Sequence, residues 1–241
     1  MQERAITLDL GRAFSFVFDD PEWVKKILVG GLILLAGFII PILPGLVLYG
    51  YALEITHRVY QGRSDALPEW DDIGGYFVRG FLLSVAIFFW LMPVILLITC
   101  VAGGVAVAAS VSGEDVIAVF SGFILFGLLG VMFLLLLLWT VAILPIIAGR
   151  YAVEERFGAM FEFGEIMQEV RRVGAGPLLI LLLTVIVAGF ISQLGFVLCF
   201  VGVAFTSFYS YLVIAHGAGQ VYRRARGMDV PPTATTSLAA F

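Results

Sequence analysis

Polar and apolar positions fall along this chain in long blocks. Four stretches contain no Asp, Glu, Lys or Arg: 27–53, 80–113, 116–149 and 173–222. A bilayer core about 30 Å thick is crossed by about 20 apolar residues in helical form. The last stretch would make a helix of about 75 Å, so it must cross twice, with a break at Ser192-Gln193-Leu194-Gly195. Each middle stretch makes one long span, and the acidic tip Ser112-Gly113-Glu114-Asp115 separates the two. In the first stretch, Pro41 and Pro44 end one helix and start another. This predicts two helices of about 24 Å each, forming a full hairpin, a re-entrant pair or a single broken span.

The predicted fold is an all-α membrane protein of about six transmembrane helices in three hairpins. The spans are 25–40, 45–60, 78–100, 117–147, 176–191 and 196–220, within one membrane domain covering 1–226. Residues 5–24 are expected to be interfacial, and 227–241 a disordered tail. Cytoplasmic segments of membrane proteins carry an excess of Lys and Arg. With six spans and both termini in the cytoplasm, all 14 basic residues lie on that side. A single crossing over 27–53 would move Arg4, Arg12, Lys25 and Lys26 outside. Residues 1–24 hold several acidic residues and lack the apolar core and small-residue cleavage site of a signal peptide, so the first helix is expected to be retained.

The blocks are joined by recurring polar motifs. Asp20-Pro21-Glu22-Trp23 leads into the first hairpin and Leu67-Pro68-Glu69-Trp70 toward the second. Pro at the first helical position with an acidic neighbour is a helix start, and a Trp there suits the headgroup level. Hairpins one and three share features at both ends. Phe14-Ser15-Phe16 compares with Phe161-Glu162-Phe163, and Tyr49-Gly50-Tyr51 followed by His57 compares with Tyr209-Ser210-Tyr211 followed by His216. A parallel internal repeat is expected. Residues 159–173 carry Met160, Phe163, Ile166, Met167 and Val170 at helical spacing, with Glu162, Glu165, Glu169 and Arg172 opposite. Such a helix lies in the cytoplasmic interface or packs on a partner.

Lys25-Lys26-Ile27-Leu28-Val29-Gly30-Gly31, Pro68-Glu69-Trp70-Asp71-Asp72 and Phe205-Thr206-Ser207-Phe208-Tyr209 together carry a family resemblance. The chain resembles the DUF4013 family of bacterial and archaeal membrane proteins over roughly residues 10 to 225. That family is uncharacterised, so the resemblance implies a topology and no activity.

Composition closes other classes. The chain of 241 residues is 61% hydrophobic and 13% charged, with a mean hydropathy of +1.05. A soluble domain carries about twice that share of charge, which excludes soluble enzymes, nucleic-acid binders and disulfide scaffolds. Cys100 and Cys199 sit in apolar runs without metal spacing.

Ionisable groups within apolar blocks are the candidate chemistry. Glu54, His57 and Arg58 share one helical face at i, i+3 and i, i+4. His216 and Gln220 occupy the corresponding place in the last span. This cluster reads as an ion- or proton-linked polar site, a headgroup-binding corner, or charges snorkelling at the end of a span. Two histidines and a carboxylate are the minimum for a catalytic metal, but nothing in the sequence joins His57 to His216. Trp23, Lys25, Lys26, Trp70, Arg171 and Arg172 are the expected interfacial anchors. Glu154-Glu155 beside Arg156 suggests the Glu-Glu motif of CAAX-type proteases, but the downstream histidine pattern is missing. No HExxH or GxSxG occurs. Glycines recur at near-helical spacing, among them Gly103-Gly104 and Gly122, Gly127 and Gly130. They suit close helix packing within the chain, oligomerisation or a lipid groove.

The expected role is a non-catalytic scaffold or accessory protein in a prokaryotic cytoplasmic membrane, without a cofactor. Its expected partners are membrane lipids, a membrane protein or a second copy, and not nucleic acid. A transporter or channel for a small or lipid-like solute is the alternative, and an intramembrane enzyme comes last.

Overall fold

The computed structural model describes residues 8–63, 67–112, 115–198 and 201–228. Among these the chain is all helical, with no strand. The helices are α1 (Leu10–Ser15), α2 (Trp23–Ala36), α3 (Leu43–Tyr60), α4 (Ile73–Ser112), α5 (Asp115–Ala142), α6 (Leu144–Glu154), α7 (Phe163–Val173), α8 (Ala175–Leu194) and α9 (Val201–Ala225). Among the described residues, four helical runs are long and apolar enough to cross a membrane: Ile73–Val107, Gly122–Glu154, Ala175–Val197 and Val201–Ala225.

The first two helices are shorter than those four, and α3 starts at Leu43 with Pro44 in its first turn. The connecting turn passes through Ile42 at φ 80°, and Phe38, Ile39 and Ile42 are exposed on it. Expected span 78–100 is in fact part of a 40-residue helix that begins at Ile73 and runs on through Pro93 to Ser112. Residues 101–112, beyond the expected span, continue the helix. Expected span 117–147 divides at Ile143, just before Pro145 of α6, where a proline restricts the preceding residue and lacks an N–H. The break before Gly195 lies where expected: α8 ends at Leu194, and Gly195 caps it. Of the tail, 229–241 lies outside the described residues.

The chain divides into two compact units, one comprising 1–84 with 141–241 and the other 85–140. In the first, α9 is the central helix, packed against α8, α3, α2 and α6. Glycines set these distances. An added Cβ at Gly30 or Gly31 would strike the Phe208 or Phe205 ring, and at Gly149 it would strike Tyr222. At Gly50 and Gly80 it would sit 1.8 Å from the carbonyl oxygens of Tyr76 and Leu46, so α3 and the start of α4 touch backbone to backbone. The core between them holds Tyr51, Tyr76, Leu67, Phe208 and Leu212.

The described part of the N-terminal segment packs partly against the bundle. Ala13, Phe16 and Val17 are buried, because their apolar side chains complete the core beside α9. The Tyr209 hydroxyl donates to Phe14 O at 2.7 Å. Segment 159–173 is also partly absorbed. It forms a 3-10 turn (Phe157–Phe161) followed by α7, and Met160, Ile166 and Val173 are buried. Glu169, expected to face outward, is buried too.

The second unit, 85–140, is a different environment. Phe88, Phe123, Phe126, Phe133 and Leu138 are all more than half exposed. At Gly103, Gly104, Gly122, Gly127 and Gly130 an added Cβ would meet nothing within 4 Å.

Candidate functional site

The C-terminal end of α3, the N-terminal end of α4 and the C-terminal end of α6 enclose a cleft of about 400 Å³. It is lined by His57, Asp72, Arg79, Tyr151 and Glu155, together with Leu53 and Ala152. Glu54 stands beside it as a bridge. Its two oxygens accept from Arg58 Nε at 3.0 Å and from Arg79 Nη1 at 3.0 Å. Arg79 Nη2 also approaches Asp72 Oδ2 at 3.4 Å, and the guanidinium lies 5.2 Å from the Tyr76 ring centroid. His57 Nε2 pairs with Gln61 Nε2 at 2.7 Å.

The expected pair Glu54–Arg58 thus forms at i, i+4 as helical spacing dictates. Arg79 and Tyr151, from distant helices, complete the corner and were missed in the sequence. The available signal was that Arg79 is the last charge before the stretch 80–113.

His216 and Gln220 are placed in other surroundings. Gln220 Nε2 donates to His216 Nδ1 at 3.1 Å and to Asp9 O at 3.1 Å, while its Oε1 accepts from Asp9 N at 2.9 Å. The pair clamps the N-terminal segment onto α9. His216 stacks on Phe16 at 4.4 Å between centroids. Its Nε2 is buried without a hydrogen-bond partner among the described residues. Among the described residues no three His, Cys, Asp or Glu side chains come together as a metal site.

Two expected anchors form a buried joint. Lys26 Nζ is 4% exposed and reaches Asp20 Oδ2 at 2.8 Å, Glu69 Oε1 at 2.5 Å and Leu67 O at 2.9 Å. Burial acts to raise the Asp20 pKa. Hydrogen bonds from Lys26 and from the backbone N–H groups of Glu22 and Leu67 overcome it and hold the carboxyl below its usual range. Trp70 is stacked 4.1 Å from Tyr51, and its indole N–H donates to Lys26 O at 3.3 Å. The 67–70 loop is fixed carbonyl by carbonyl: Leu67 O by Lys26, Pro68 O by Tyr51 at 2.8 Å and Glu69 O by Tyr76 at 2.7 Å. Lys26 and Trp70 therefore join loops inside the protein, because a buried carbonyl needs a donor. Lys25 stays exposed and pairs with Glu22 at 2.8 Å. Trp23 packs edge-on against Phe18. Arg171 and Arg172 are exposed in the last turn of α7, where cations suit the helix dipole.

The largest charged cluster was not anticipated. Arg150, 1% exposed, lies among Glu154 at 3.7 Å, Glu165 at 2.9 Å, Glu169 at 3.2 Å and Glu162, and its Nε donates to Ala159 O at 3.0 Å. Arg226 pairs with Glu154 and with Glu169 at 3.2 Å. Burial raises the Glu169 carboxyl above its usual range despite both arginines. Arg156 pairs with Glu154 at 2.7 Å. Cys100 is exposed and free, and Cys199 lies outside the described residues.

Residues 33–201 match a family described as a protein of unknown function, DUF4013. An uncharacterized protein of Methanocaldococcus jannaschii is 30% identical over 170 residues, which is 67% of this chain and 54% of that relative. The chain thus spans about half the length of that relative. No solved structure matches.

Proposed function

The chain belongs to the DUF4013 family of proteins of unknown function, and from that premise we propose that it is a multi-pass, non-catalytic membrane protein that binds lipids or membrane partners. It acts as a scaffold or accessory subunit in a prokaryotic cytoplasmic membrane. Six spans in three hairpins, with both termini in the cytoplasm, place every Lys and Arg on one side. Hairpins one and three form a parallel repeat in this arrangement.

The contrast between two sets of glycines carries this reading. Gly30, Gly50, Gly80 and Gly149 are filled by neighbours in the chain, whereas Gly103, Gly104, Gly122, Gly127 and Gly130 face open space. In lipid, small residues let helices approach closely, and such faces suit a partner helix or acyl chains. A transport role would need Glu54 and His216 on one polar path. The clamp of His216 between Phe16 and Gln220 favours binding over transport.

The test is extraction from native membranes into lipid nanodiscs, followed by native mass spectrometry. A stoichiometric partner or a second copy is expected, and Gly103→Leu with Gly127→Leu should remove it. A bare monomer free of tightly held lipid would sink the proposal. A reporter fused before Lys25 and accessible from outside would sink the orientation.

A further inference from the structure

We propose that the cleft between α3, α4 and α6 binds the headgroup of an aminophospholipid, a phosphate diester carrying a primary ammonium. The inference rests on the membrane placement proposed above and names the ligand of that corner. The depth of the cleft selects a headgroup. Arg79 is the last charge before the apolar stretch 80–113, and Tyr151 and Glu155 follow directly on the apolar stretch 116–149. The cleft therefore sits where hydrocarbon gives way to water.

Its lining selects the chemistry. On one side are donors for a phosphate: the partly exposed Arg79 guanidinium, the His57 ring and the Tyr151 hydroxyl. Arginine suits phosphate oxygens through its planar fork of N–H groups. Tyr151 is 6% exposed and lines the cleft. Its hydroxyl can donate to a phosphate oxygen held there.

On the other side are carboxylates for an ammonium. Glu155 forms no ion pair among the described residues, and the Asp72 carboxylate is shared with Arg79 and the Gly75 N–H. Glu155 also caps α6 at φ 51°, a left-handed position where glycine is the usual residue. A carboxylate kept there, at some conformational cost, lines the same cleft as Arg79. A purely anionic headgroup would face the Glu155 carboxylate with no ammonium to offset it. A trimethylated amine would offer Glu155 no N–H to donate.

The experiment uses the full chain in detergent micelles. Phosphatidylethanolamine, phosphatidylcholine and phosphatidylglycerol with identical acyl chains are titrated, and occupancy is read by native mass spectrometry. Phosphatidylethanolamine should bind about tenfold tighter than either of the others, the scale of one charge-assisted hydrogen bond. Glu155→Gln should erase the preference over phosphatidylglycerol, and Tyr151→Phe should weaken all three phospholipids, while Lys25→Gln, outside the cleft, keeps the full preference. Equal binding of the three lipids, or a preference that survives Glu155→Gln, overturns the proposal. Soluble glycerophosphoethanolamine binding as tightly as the intact lipid would overturn the membrane as the source. Loss of headgroup preference with partner co-purification intact removes this site alone, whereas loss of both removes the reading beneath it.

Discussion

The bundle built from 8–84 and 141–228 and the segment 85–140 solve opposite problems with similar residues. In the bundle, charged side chains are drawn inward and paired: Arg150 among four glutamates, Lys26 between Asp20 and Glu69, Glu54 between two arginines. Gly30, Gly31, Gly50, Gly80, Gly149 and Gly219 mark places where its helices touch. In 85–140 there is no Asp or Glu until 114, large apolar side chains lie exposed, and Gly103, Gly104, Gly122, Gly127 and Gly130 touch nothing. The difference teaches where each region finds its stability. The bundle is organised by specific contacts at its polar end. The apolar helices satisfy their own backbone, which is what a lipid solvent demands, and leave their side chains to whatever surrounds them.

The largest break in that comparison should come from Arg150. Arg150→Ala leaves buried Glu169 with Arg226 alone and strips the other glutamates of their shared arginine, and breaking a buried ion pair costs about 3–5 kcal/mol. Thermal unfolding in detergent should show a large drop, and an unchanged midpoint would mean the cluster is not closed in solution. The glycines come next and test both regions at once. Gly50→Ala and Gly80→Ala place a Cβ 1.8 Å from a main-chain oxygen, and overpacking of this kind costs about 1–3 kcal/mol. Gly103→Ala and Gly127→Ala should be neutral or stabilising by up to about 1 kcal/mol, the helix-propensity gain. Comparable losses in both sets would erase the distinction.

Tyr51→Phe removes the donor to Pro68 O. An orphaned buried carbonyl costs about 1–3 kcal/mol, and proteolysis near 67–70 should accelerate. The smallest effects are in pH dependence. The Asp20 carboxyl is held below its ordinary value of 3.8. Its stabilisation is present above that value and is lost as pH falls toward the folded-state value. The Glu169 carboxyl is raised above its ordinary value of 4.5. Its contribution has the opposite sign, complete below 4.5 and declining as pH rises through the folded-state value. Glu169→Gln should flatten that second slope in unfolding measured from pH 4 to 8, and a slope that persists would assign it to another group.

Much of the helical layout was legible. Charge-free length marked the long apolar helices, and Gly195 marked the break between α8 and α9. The Glu54–Arg58 pair followed from helical spacing alone. The rest depended on partners distant in the chain. Lys25 and Lys26 are adjacent and chemically alike, yet one is exposed and the other is buried against loop 67–69. Trp70 fits a headgroup-level anchor by sequence, but Tyr51 and the Lys26 carbonyl draw it inward. Glu169 falls on the polar side of a helical wheel, and only the position of Arg150 makes that side an interior.

What the sequence by itself determined is the set of long apolar helices: the longest charge-free blocks have the length and hydropathy of membrane spans, and a helix satisfies its own backbone there. The tertiary structure decided which charges are structural and which remain available. Pairing energy falls off within a few ångströms in a low-dielectric interior. It therefore depends on side-chain positions set by helix packing, which the pattern along the chain does not carry. Arg150 and Lys26 thus became parts of the frame, while Arg79, Tyr151 and Glu155, far apart in sequence, came to line one cleft.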